Sequence, residues 1–143
     1  MRYAIYKTTT GDISRVVDIH STTNVDEAYQ ATIQCEQDES YIQASETCQD
    51  DTHYIDVTTT QETVKATNPT TVDKTTFNAN GVDTVTFSNI PEGSEVFVEF
   101  ASQGVTDASD SGVFEYSSDL VGNHAIRISH THYLDYEVLL NAS

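Results

Sequence analysis

Tryptophan is absent from this chain of 143 residues, and only six side chains, Arg2, Lys7, Arg15, Lys65, Lys74 and Arg127, are basic. No two of them cluster, and against 23 carboxylates they leave a formal net charge of −17. A surface of that sign repels phosphate, which excludes nucleic acid as a partner and, on the same ground, attraction to an anionic membrane. No apolar run reaches membrane-spanning length. Proline occurs twice and glycine six times, scattered, so no glycine-rich loop between strand and helix is available to cradle a nucleotide phosphate. The two cysteines, Cys35 and Cys48, have no C-x-x-C knuckle, and with His53 they still lack a fourth zinc ligand.

The apolar fraction is 37%, and much of it is Val, Ile, Tyr and Phe, the residues that fit a pleated, half-buried surface. Threonine and serine are abundant. This is an all-β composition with a hydroxylic exterior, long enough for one ordinary domain or two small ones. The acidity fits solubility or a saline medium; it also fits a surface that meets a basic partner or divalent cations. Tyr3 and Ile5, then Ile13 to Val17, read as a β-hairpin around Lys7-Thr8-Thr9-Thr10-Gly11-Asp12, where the glycine permits a tight reversal. The chain opens into this hairpin with no charged-then-apolar leader, so synthesis in a cytoplasm is expected. That compartment favours free thiols, although the Cys35–Cys48 separation also permits a local disulfide.

Asn24 or Thr23 can cap a short helix in which Val25, Ala28, Tyr29 and Ile33 recur at helical spacing as far as Gln34. Strands are expected over Glu39–Ala44 and His53–Val57. Residues 1–57 therefore form a small β-rich module. The Thr-rich stretch 58–73 is a linker, or carries a strand through Glu62–Ala66 that bridges the modules. Residues 74–143 show short alternating segments with Asn, Gly and Pro between them: Asp83–Phe87, Glu95–Phe100, Val113–Tyr116, Ala125–Ser129 and Tyr136–Leu140. In the second of these, Val96, Val98 and Phe100 share a face and Phe97 points the other way; Gln103–Gly112 reads as a polar loop. The pattern is that of an antiparallel sandwich.

Two resemblances add to this. Val85-Thr86-Phe87-Ser88-Asn89-Ile90-Pro91-Glu92-Gly93-Ser94-Glu95-Val96-Phe97-Val98, then Gly122-Asn123-His124-Ala125-Ile126-Arg127-Ile128 and Tyr133-Leu134-Asp135-Tyr136-Glu137-Val138, resemble the immunoglobulin-like and PEGA-like sandwiches of bacterial and phage surface proteins. Tyr3-Ala4-Ile5-Tyr6, Thr10-Gly11-Asp12-Ile13 and Asp51-Thr52-His53-Tyr54-Ile55-Asp56-Val57 are similar to the opening part of small tail and virion proteins of tailed bacteriophages, with Asp38-Glu39 standing where such proteins carry a Gly-Glu turn. The resemblance implies a mainly β, non-enzymatic structural protein of a phage particle, a capsid decoration or cement protein or a tail or fibre component. It would be assembled in the host cytoplasm, located in the virion, and multi-copy among other capsid, neck or tail subunits. The first module would dock by an open strand edge at Tyr3, Ile5 and Tyr6, and the acidic sandwich would project outward.

Several further positions carry side chains that could do chemistry. His130-x-His132 with Asp135 has metal-ligand spacing but equally describes two exposed histidines beside a turn. Asp107, Asp110 and Glu115 lack the glycine-punctuated pattern of a calcium loop. His124 and His53 read as packed residues, and no serine stands in a nucleophile-elbow context. No catalytic, metal or cofactor site is expected. A carbohydrate- or receptor-binding module is the alternative, with Tyr116, Tyr133 and Tyr136 as an exposed aromatic patch; an enzyme accessory domain would need a catalytic neighbour outside this sequence.

Overall fold

Tyr3-Ala4-Ile5-Tyr6 are four consecutive buried residues in β1 (Arg2–Lys7), and that run decides how the first sheet is built. The computed structural model describes residues 1–20, 30, 32 and 34–143. It is mainly β and divides into two units, Met1–Ala66 and Thr67–Ser143.

In the first unit β1 pairs antiparallel with β2 (Ile13–Asp18) on one side and with β3 (Glu39–Gln43) on the other, giving the order β2-β1-β3. A central strand has its backbone groups engaged on both flanks. The expected docking edge at Tyr3, Ile5 and Tyr6 is therefore corrected: these residues sit mid-sheet at 5%, 0% and 7% exposure. Ala4, Tyr6 and Ile13 share a core with Cys48 and Ile55. Ile55 belongs to a second hairpin, β4 (His53–Asp56) with β5 (Gln61–Val64). The Gly11 carbonyl accepts the Ile55 N–H at 2.9 Å. Gly11 has φ +82°, and a Cβ there would lie 1.9 Å from the Ile55 oxygen, so both the turn and the close approach require glycine.

The stretch 58–73 is not a free linker. Its first half holds β5, which pairs within the first unit rather than bridging, and its second half holds β6 (Thr71–Val72) of the second. Short surface strands set in a threonine-rich stretch share the composition of a linker, which is why pattern alone does not separate them. The expected helix rests on Val25, Ala28, Tyr29 and Ile33, all of which lie outside the described residues. Among the described residues no helix is long and apolar enough to cross a membrane.

The second unit contains two sheets. Its further strands are β7 (Thr76–Phe77), β8 (Val85–Ser88), β9 (Glu95–Val98), β10 (Ala101–Val105), β11 (Phe114–Tyr116), β12 (Gly122–His130) and β13 (Tyr133–Ala142). The larger sheet runs β10-β9-β12-β13-β7, with β7 parallel to β13, and the smaller runs β11-β8-β6. Alternation along β8 and β12 puts Val85, Phe87, Ile126 and Ile128 inward, where they join Phe77, Ile90, Val96, Leu140 and Ala142 in one core drawn from both sheets. Each such side chain contributes about 1.5–3 kcal/mol by leaving water. Gln103–Gly112 is not all loop. Its first residues complete the exposed edge strand β10, with a bulge between Ser102 and Gly104, and a 3-10 turn follows at Ala108–Asp110.

Candidate functional site

The site is built on the outward-facing residues of β9, β12 and β13. Register sets Arg127 opposite Phe97 on one side and Glu137 on the other, and one step along sets Ala125 opposite Leu139. The Arg127 guanidinium lies over the Phe97 ring, 4.2 Å from its centroid, and its Nη1 donates to Asp135 Oδ2 at 3.2 Å. Phe100 was expected to share a face with Val96 and Val98. Instead β9 stops at Val98, and Glu99 and Phe100 form a two-residue reversal into β10 with φ +48° and +69°. Two positive φ values are those of a type I′ hairpin turn, which ordinarily selects Asn and Gly. The turn is clamped to β12, because the Glu99 N–H donates to the Ala125 carbonyl at 3.0 Å and the Glu99 carboxylate accepts the Ala125 N–H at 2.6 Å.

Phe100 is 89% exposed and Leu139 is 59% exposed. With Phe97, Ala125, Arg127 and Glu137 they line an open groove of about 390 Å³. Three more large apolar side chains, Val82, Leu120 and Val121, are exposed at the same end of this unit. Their turns follow β7 and precede β12, and they are joined by the Gly81 N–H donating to the Ser118 carbonyl. Isolated exposed apolar residues are ordinary on a protein surface; exposed apolar residues that line a groove, as Phe100 and Leu139 do, are less so.

A second constellation lies in the first unit. Glu62 of β5 accepts the Ser45 N–H at 2.7 Å and the Ser45 hydroxyl at 2.6 Å, and faces His53 Nε2 at 3.5 Å. His53 Nδ1 accepts from the Gln49 amide and from the Thr52 hydroxyl, leaving Nε2 to carry the proton toward Glu62. Burial alone would raise the Glu62 carboxyl, but the hydrogen bonds from the Ser45 hydroxyl and amide outweigh it and hold the group below its usual range. Cys48, 1% exposed, is pushed up to about 11 by burial and then by the Glu62 charge. A thiol that is protonated and closed to solvent is not a nucleophile. The cluster ties the 45–53 loop to β5.

Comparison with protein-family models, with curated proteins and with solved structures finds no match for this chain.

The sequence-predicted residues fall elsewhere than on one surface. Tyr116, on the smaller sheet, donates its hydroxyl to His124 Nδ1 at 2.8 Å and meets Phe77 edge-on. His124 is buried and its Nε2 donates to the Leu120 carbonyl at 2.9 Å, so the histidine is a packed, fully bonded residue. Tyr136, on the larger sheet, stands edge-to-face on Phe87, and burial raises its hydroxyl. Tyr133 is at the β12–β13 turn against the His130 ring. The aromatic patch of Tyr116, Tyr133 and Tyr136 is thus corrected: two of the three are committed to the core from opposite sheets, and a stacking platform is not assembled.

His130 donates from Nε2 to the Glu92 carbonyl at 3.0 Å and accepts the His132 N–H at Nδ1. Both ring nitrogens are engaged, and Asp135 is drawn to Arg127, so the three do not converge on a cation. Asp107 and Asp110 cap the 3-10 turn reciprocally, Asp107 accepting the Ser109 N–H and Asp110 the Asp107 N–H, each at 2.7 Å. Among the described residues no group of three or more ligating side chains is close enough to hold a metal, and Cys35 and Cys48 are not joined in a disulfide. Pattern reading missed Phe100 and Leu139. The adjacency Leu139-Leu140 was a signal, since neighbours in a strand point to opposite faces and one of the pair must face out.

Proposed function

We propose that this chain is a non-enzymatic structural docking protein, present in multiple copies on a tailed-bacteriophage particle, whose second unit is an immunoglobulin-like sandwich. The observation that carries the docking role is the exposed apolar groove on the larger sheet, edged by a phenylalanine held where a hairpin turn favours glycine. Backbone strain retained beside exposed apolar surface is expected where binding, rather than stability, selects the residue. The immunoglobulin-like reading draws support from the strand order. Two sheets of β10-β9-β12-β13-β7 and β11-β8-β6, with the first-sheet strand β7 parallel to the last strand, match the arrangement of such sandwiches. The particle itself is taken from the sequence resemblance. Docking passes from the first unit to the second in this reading, since β1 offers no edge.

Quantitative mass spectrometry of particles purified from the source tests it. Hundreds of copies per particle identify a capsid decoration or cement protein, and roughly six to a few dozen a neck, tail or fibre component. Absence from the particle overturns the virion role.

A further inference from the structure

We infer that the groove between Phe97, Phe100 and Leu139 takes a segment of another protein in which Lys or Arg flanks an apolar side chain. This rests on the docking role proposed above and names its partner's chemistry. The groove supplies the apolar half of the argument: its volume, about 390 Å³, lies in the range of small binding clefts. Phe100 and Leu139 at its rim would lose most of their exposed surface to an inserted side chain.

Charge supplies the other half. Glu95 shares the outward face of β9 with Phe97, Asp135 and Glu137 share that of β13 with Leu139, and Glu99 lies in the turn over Ala125, with Arg127 between the two strands. Arg127 is already engaged by Asp135 and by the Phe97 ring, which leaves the face around the groove with a surplus of negative charge. A second copy of the chain would bring the same surplus against it, on a molecule whose formal charge is −17. Like charges set face to face are unfavourable and slow encounter, whereas a basic segment is drawn in. Nucleic acid is excluded by the same sign. The surface therefore selects a basic and apolar protein segment over a copy of itself.

The test uses the full chain, labelled with nitrogen-15, and two blocked synthetic peptides of equal charge, Lys-Leu-Lys-Phe-Lys-Leu-Lys and Lys-Ser-Lys-Ser-Lys-Ser-Lys. The apolar peptide is expected to bind about tenfold tighter or better. Its amide-shift changes should centre on Phe97, Glu99 to Ala101, Ala125 and Leu139. Phe100→Gly, which suits the local backbone, and Leu139→Ser should each remove most of that preference while leaving the remaining amide spectrum in place. Equal affinity for the two peptides, or shifts spread over the acidic surface and unchanged in both variants, overturns the proposal. So does concentration-dependent self-association abolished by the same variants, which would make a second copy the occupant. These results are separable from the particle count: a chain missing from particles refutes the virion role and leaves the peptide result standing, and the converse holds equally.

Discussion

Replacing Phe100 by glycine should make the second unit more stable, although it deletes the largest side chain of the turn. Phe100 sits at φ +69° and is 89% exposed. A non-glycine residue in the left-handed region is disfavoured by about 1–2 kcal/mol, while glycine there is relaxed. Against this, the unfolded chain gains freedom with glycine, worth roughly 0.4–1 kcal/mol. An almost fully exposed ring forfeits little burial on removal. The balance is a stabilisation of about 0.5–1 kcal/mol, which for a unit of this size raises Tm by roughly 2–8 °C. Phe100→Ala is the matched comparison: it deletes the same ring and keeps the strained φ, so it should stay near the parent. The assay is thermal unfolding of the full chain followed at second-unit amides by NMR, with urea titration as a check. A Phe100→Gly protein that melts at or below the parent refutes the reasoning, because the ring would then be packing rather than waiting for a partner. The expected outcome, gain of stability with loss of peptide binding, is the trade-off that marks a functional residue.

Gly11→Ala should unfold or badly weaken the first unit, by more than about 2 kcal/mol, because the new Cβ meets the Ile55 carbonyl while φ is +82°; urea denaturation read at β4 amides checks it. Phe87→Ala removes a fully buried ring that contacts Phe114 and Tyr136, and about 3–5 kcal/mol should be lost from the second unit alone, measured by the same titration. Glu39 is lowered from 4.5 to about 2 by hydrogen bonds from Ser14, the Glu36 amide, Arg15 and Lys7. Its folded value lies below its unfolded one, so the stability it lends is full above about pH 4.5 and is lost as the pH falls through about 2. Glu39→Gln should flatten the acid limb of the first unit's stability profile, and an unchanged limb would assign that pH dependence to other carboxylates.

Strands were legible where alternation and turn chemistry agreed. Val85 and Phe87, Val96 and Val98, and Ile126 and Ile128 each point inward as their spacing requires, and Asn89 and Gly93 take the positive φ values that end β8 and lead into β9. β10 was not legible, because all five of its residues are exposed and an edge strand solvated on both faces carries no hydrophobic period. The position of β1 depends on a pairing with β3 more than thirty residues away. The sequence held a clue that alternation did not capture: Tyr3-Ala4-Ile5-Tyr6 is apolar without interruption, the signature of a strand covered on both faces rather than of one at an edge.

The groove was harder to see for a physical reason. A site of this kind is defined by what the sheet register brings abreast, Phe97, Arg127 and Glu137 from three strands and Ala125 beside Leu139, and register leaves almost no trace in any one segment. Phe97 was recognisable as the residue facing away from Val96 and Val98. Its neighbour Phe100 was set on one face with Val96 and Val98 because period-2 alternation was carried two residues past the point where the strand ends. Only the backbone reveals that Glu99 and Phe100 occupy a turn that Asn-Gly would fill without strain. That mismatch is itself the most informative local signal: hairpin turns are easily optimised, so a Glu-Phe pair kept in one must be answering to something other than the hairpin. Here the glutamate fastens the turn to Ala125 and the phenylalanine is held out over the groove, two separate uses of the same strained pair.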